Sequence, residues 1–124
     1  MPDYRKSAAP RALRVADEIQ RILGPIFDSK LRSWNVDLLT VTQVELSRDL
    51  KNAAVYVSLL NPSPDAISVL RALRHKKKEI RYLMGSILQT KYVPQLKFFI
   101  DESTERSSRI NAIIEELHGD APED

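Results

Sequence analysis

Two aliphatic, β-branched runs, Leu39 to Leu46 and Ala53 to Leu60, stand only six residues apart, and that spacing decides much of the fold. Runs of this length and composition read as strands. A parallel pair would need a crossover of roughly a dozen residues or more, so the short, mostly polar link Ser47 to Asn52 predicts an antiparallel hairpin. Within the link, Asp49 reads as a turn former that accepts local backbone donors, and Arg48 as an exposed cation.

After the second run, Asn61-Pro62-Ser63-Pro64-Asp65 stops the strand and offers Ser63 as an N-cap with Pro64 at the first helical position. An apolar stripe of Ile67, Leu70 and Leu73 follows, and it resumes as Ile80, Leu83, Met84, Ile87 and Leu88. Between the halves stand Lys76, Lys77 and Lys78. One continuous helix would set Lys77 on the apolar stripe, so either the helix breaks near His75 or Lys77 runs its stem along the core edge with its amine in water. The break is the preferred reading and gives two helices joined at the lysines. Pro94 then bars helix, and Leu96, Phe98 and Ile100 alternate with Lys97 and Phe99 as a third strand.

Ahead of the hairpin, Val15, Ile19, Ile22, Leu23 and Ile26 recur at helical spacing among Arg11, Arg14, Asp17, Glu18 and Arg21. Pro10 suits the first turn of this helix, and Gly24-Pro25 predicts its end or a kink, with the exit between Gly24 and Lys30. Behind the third strand, Ile110, Ile113, Ile114 and Leu117 mark a last helix from Glu105 to Leu117. The expected order is α-β-β-α-α-β-α, a single α+β domain whose three-stranded sheet packs on helices. It is expected to span residues 11–117, between a flexible N-terminal segment 1–10 and a disordered acidic tail 118–124.

A chain of 124 residues can bury one core without staples, and here it must, because it has no cysteine. That absence excludes a disulfide scaffold, a Cys-type zinc site and a thiol nucleophile, and two histidines, His75 and His118, make no imidazole cluster. No P-loop, nucleophile elbow or metal motif occurs, and the adjacent carboxylates Asp101 and Glu102 would point apart on a strand end. The expectation is a non-enzyme with no cofactor and no metal. No apolar run approaches the roughly 18 residues of a membrane span, and the N-terminus lacks a secretory stretch. Asp3, Asp17 and Glu18 interrupt anything like a transit peptide, so a cytoplasmic protein with no membrane partner is expected.

The net charge of +2 conceals a strong asymmetry. Residues 71–91 carry +6 and residues 101–124 carry −6. Arg71, Arg74, Lys76, Lys77, Lys78, Arg81 and Lys91 form a positive stretch offset only by Glu79, and such a stretch can neutralise phosphates and release their counterions. A solvated helix face is the plain alternative. An anionic partner is the favoured reading.

The pattern helix, strand, strand, helix, helix, strand is similar to the type II KH arrangement. Within it, the stretch Val44-Glu45-Leu46-Ser47-Arg48-Asp49-Leu50-Lys51-Asn52-Ala53-Ala54-Val55-Tyr56-Val57 resembles the hairpin signature of the ribosome-binding factor A family of bacterial small-subunit assembly factors. Arg14-Val15-Ala16-Asp17-Glu18-Ile19 with Ile22-Leu23, Glu79-Ile80-Arg81, and Tyr92-Val93-Pro94-Gln95-Leu96-Lys97-Phe98-Phe99-Ile100-Asp101-Glu102-Ser103 fall where that family's other motifs fall. The resemblance implies a KH-like RNA-binding domain that acts on late precursors of the small subunit. It implies help with maturation of the 5′ end of 16S rRNA, support of growth in the cold, and departure before translation. The implied partner is the small ribosomal subunit with its 16S rRNA precursor, with ribosomal proteins and an assembly GTPase as further candidates, and the protein is expected to be a monomer. Where KH domains carry Gly-x-x-Gly and this family usually Ala-x-Gly, the chain reads Lys76-Lys77-Lys78, so charge stands where glycines would admit an RNA backbone.

The residues assigned to RNA are Arg71, Arg74, Lys76, Lys77, Lys78, Arg81, Arg48, Arg11 and Arg14. Tyr56 and Trp34 could each stack on a base, but packing is the favoured role for both, and burial accounts for Phe98 and Phe99. Gly85 reads as a close-packing glycine and His75 as part of the basic surface. Two other functions stay open: a protein-binding module of the same fold, and a general nucleic-acid-binding domain unconnected with ribosomes.

Overall fold

The computed structural model describes residues 9–36, 38–59 and 66–101. The elements run α1 (Pro10–Lys30), β1 (Leu39–Leu46), β2 (Asn52–Leu59), α2 (Ala66–His75), α3 (Lys77–Gly85) and β3 (Gln95–Ile100). The expected order α-β-β-α-α-β is observed. The proposed cap at Ser63 and the last helix, Glu105 to Leu117, lie outside the described residues.

Helix α1 passes through Gly24 and Pro25 and runs to Lys30, the last residue of the expected exit. A residue preceding proline is normally pushed out of helical geometry by its Cβ, and Gly24 has none. Apart from its chain neighbours and the backbone of its own helix, nothing lies within 4 Å of where a Gly24 Cβ would be. Beyond the proline, the chain buries Ile26, Phe27 and Leu31. Each such side chain is worth about 1.5–3 kcal/mol when fully buried, and together they outweigh the roughly 3 kcal/mol that an internal proline costs.

The strands form one sheet in the order β1-β2-β3. Strands β1 and β2 are antiparallel, with Val44 opposite Val55 and Leu46 opposite Ala53, and β2 and β3 are parallel, with Tyr56 opposite Phe99. The β1–β2 register shifts between Val41 and Gln43, where the Gln20 side-chain amide donates to the carbonyls of Val41 (3.4 Å) and Thr42 (3.2 Å). Helix α1 thus holds the irregular stretch of edge strand β1 in place.

One face of the sheet, including Val41, Val44, Leu46, Ala53, Val55, Val57, Leu96, Phe98 and Ile100, shares a core with α1, α2 and α3. Ala54, Tyr56 and Phe99 alternate onto the opposite face and form a second buried cluster. The Tyr56 and Phe99 rings stack there at 5.4 Å and 28°. Packing is therefore the role of Tyr56, and both Phe98 and Phe99 are buried.

Asp49 shapes the hairpin turn as its residue type predicts. Its Oδ1 accepts from the Ser47 hydroxyl at 2.6 Å and from the Lys51 amide at 3.0 Å, while the Asn52 amide donates to Ser47 Oγ at 3.0 Å. Leu50 adopts a left-handed φ of 64°, an unusual conformation for leucine, and its side chain packs against the core. The Ser47 hydroxyl and then the Lys51 amide hold the Asp49 carboxyl below its ordinary value of 3.8. A carboxyl acidified by folding stabilises above its unfolded pKa and loses that contribution as pH falls through the folded one. The wild type should therefore lose more stability than Asp49→Asn on acidification below 3.8, as read by chemical denaturation at a series of pH values. Parallel curves for the two proteins would remove this linkage.

Gly85 ends α3 against the loop that enters β3. A Cβ there would lie 2.8 Å from Val93 Cγ2, closer than packed atoms tolerate. Gly85→Ala should destabilise the fold by about 1–3 kcal/mol through overpacking, measured from the urea midpoint at unchanged slope. An unchanged midpoint would mean that the Val93 loop yields freely.

Candidate nucleic-acid interface

The break between α2 and α3 falls at Lys76, with α2 ending at His75 and α3 beginning at Lys77. Lys76 has φ −94° and ψ 8°, a conformation open to any L-residue, so the bend forms without a glycine. Arg74 and His75 occupy the last turn of α2, where cations complement the helix dipole. Lys76 to Lys78 do the reverse. They crowd positive charge at the N-terminus of α3, which no side chain caps and whose first turn holds a single acid, Glu79. Local positive potential of this kind is relieved by an external anion, and a helix N-terminus supplies backbone donors for one.

The three lysines are not equivalent. Lys78 is exposed and Lys76 partly so, whereas Lys77 is only 5% exposed. The charge pattern assigns Lys77 to RNA with its neighbours, but its burial withdraws it from the open surface. Breaking the helix does not free it from the apolar stripe. Arg81 also acts internally, since its Nε donates to the Pro94 carbonyl at 3.0 Å and its Nη2 to the Val93 carbonyl at 2.8 Å, fixing the entry to β3. Arg71 is exposed and Arg74 partly so on the preceding helix.

The fold brings to this junction a group that sequence spacing leaves apart. Trp34, in the turn after α1, is partly buried against the core, and the Lys76 ammonium lies over its ring at 5.9 Å from the centroid. That distance is near the outer limit of a cation–π contact, worth about 0.5–1 kcal/mol at an exposed site. The turn is held by the Trp34 amide on the Lys30 carbonyl (3.0 Å) and the Asn35 amide on the Arg32 carbonyl (3.0 Å), with Asn35 at φ 59°. Lys30 and Arg32 therefore flank the tryptophan that touches Lys76. Their nearness to Trp34 is plain in the sequence, and the contact of Trp34 with Lys76 adds them to the cluster.

Arg11, Arg14 and Arg48 are not part of that cluster. Ala12 and Leu13 line one groove with Glu45 and Leu46, so the start of α1 sits at the hairpin end of the sheet, where Arg48 follows. From Arg14 to Lys30 the helix rises about 24 Å. The nine assigned cations thus divide between the α2–α3 junction and the far end of α1. Two further rings are exposed, Tyr82 (77%) on α3 and Tyr92 (61%) ahead of β3, the latter with the Lys91 ammonium over it at 5.4 Å. Among the described residues, no group of three or more His, Asp or Glu could hold a metal ion, and no helix is long and apolar enough to cross a membrane.

Residues 11–114 match the family model described as ribosome-binding factor A. A ribosome-binding factor A from Pseudomonas putida is 36% identical over 121 residues, covering 91% of this chain and 92% of that protein. One from Staphylococcus epidermidis is 33% identical over 108 residues, covering 87% and 93%. The crystal structure of ribosome-binding factor A from Thermus thermophilus superposes with a TM-score of 0.63 at 24% identity, covering 72% of this chain and 94% of that one. A homology model of the Thermus thermophilus factor, fitted into a cryo-EM map of its complex with the 30S subunit, gives a TM-score of 0.56 at 25% identity, covering 68% and 88%.

Proposed function

Since the chain belongs to the ribosome-binding factor A family, we propose that it binds the immature 30S small ribosomal subunit and assists late maturation of 16S rRNA, including its 5′ end, without catalysing a reaction. The observation that carries this reading is the uncapped N-terminus of α3, with Lys76 and Lys78 at its mouth and Arg71 and Arg74 on the helix before it. These groups suit a phosphate backbone, the lysines as flexible point charges and the arginines as planar forks that pair with phosphate oxygens. Arg11, Arg14 and Arg48 serve as a second, separate contact. Lys77 packs inward at the junction, and Arg81 holds the entry to β3. The Thermus thermophilus factor has been fitted into a map of its complex with a 30S subunit, which favours the same partner here. The protein acts in the cytoplasm as a single KH-like domain over residues 11–117.

The test is a pull-down of the full chain from a bacterial lysate, with and without ribonuclease. Enrichment of 16S rRNA with its 5′-extended precursor, lost after nuclease, is the expected result. Ribosomal proteins retained after nuclease, with no rRNA dependence, would instead make this a protein-binding module of the same fold.

A further inference from the structure

We propose that Trp34 is a stacking site for an unpaired nucleobase, opened when Lys76 leaves the ring for a phosphate. The inference rests on the RNA-binding reading above and adds to it a base contact at a defined residue. Trp34 is anchored, because part of its side chain packs against the core and its turn is closed by the Lys30 and Arg32 carbonyls. It is also accessible, because the residue is not fully buried. An aromatic ring held in this way loses little freedom when a base settles on it.

The present occupant of the ring is weakly held. Lys76 Nζ stands 5.9 Å from the centroid, and a base–aromatic stack is the stronger of the two contacts. The exchange is favoured twice over, since the displaced ammonium sits one residue from the N-terminus of α3, where a backbone phosphate of the same RNA would lie. Lys30 and Arg32, whose carbonyls close the same turn, supply further cations for an adjoining phosphate. A single-stranded segment or bulge fits this arrangement, because bases in a regular helix are already stacked on one another.

Trp34 is the only tryptophan in the chain, so its emission reports on this ring alone. Full-length protein is titrated with a fluorescently labelled single-stranded RNA and with an abasic oligonucleotide of equal length and charge. Anisotropy reads binding, and tryptophan emission reads stacking. The proposal expects the base-bearing RNA to quench Trp34 and to bind about tenfold more tightly than the abasic strand, with Trp34→Leu abolishing the difference. Equal affinity for both strands without quenching would overturn the stacking site and leave phosphate binding intact. Failure of both strands to bind would overturn the RNA-binding reading itself. Because quenching is read on the wild type, the result does not depend on how well Trp34→Leu folds.

Discussion

Replacing Lys76 and Lys78 together with glutamine should weaken RNA binding at low salt and reduce the slope of log affinity against log salt by about 2, one for each phosphate contact removed. Lys77→Gln should leave that slope unchanged and lower the unfolding midpoint instead. The contrast follows from burial: Lys78 is exposed and Lys76 partly so, but Lys77 is 5% exposed within the run. Three adjacent lysines of identical chemistry thus divide into two at the surface and one against the core. A slope that falls equally for Lys77→Gln and for either neighbour would show that all three face the RNA.

Phe27→Ala should cost about 3–5 kcal/mol, out of a total stability that for a domain of this size is on the order of 5–15 kcal/mol. Phe27 is 1% exposed and lies two residues after Pro25, on the turn whose burial keeps α1 helical past the proline. Truncating it leaves a cavity and also removes part of what offsets the missing backbone bond. The loss should reach the binding surface, because the same turn leads into Lys30, Arg32 and Trp34. Leu13→Ala, on the same helix but 51% exposed, should stay within about 0.5 kcal/mol of wild type. Urea denaturation of the two variants measures both values, and equal midpoints would contradict the account of α1.

The hairpin was legible because the information is local: a six-residue link leaves an antiparallel pair little alternative, and β1 is found at Leu39–Leu46 as the residue pattern indicates. The break near His75 was legible for a similar reason, since three lysines interrupt one apolar stripe. Where α1 would end within the expected stretch Gly24 to Lys30 was less legible, because local propensity at Gly24 and Pro25 favours an early exit and only the tertiary burial of Ile26, Phe27 and Leu31 carries the helix to the last of those residues. In α3 the apolar pattern runs on to Leu88, yet the helix stops at Gly85 and leaves Ile87 exposed.

The candidate site divides along the same line. Charge density alone located the α2–α3 junction. Spacing could not show that Lys77 turns inward, that Arg81 is occupied by two carbonyls, or that Trp34 meets Lys76 across more than forty residues of chain. Arg11 and Arg14 are basic and exposed, but the length of α1 carries them away from the junction.

The most direct test of the central claim is sedimentation of the full chain with isolated small ribosomal subunits, at two salt concentrations, for wild type and for the Lys76→Gln, Lys78→Gln double variant. The wild type should travel with the free small subunit at low salt and dissociate as salt rises, and the double variant should dissociate at lower salt. Co-sedimentation that is indifferent to both salt and the two substitutions would contradict the assignment of this junction as the RNA contact.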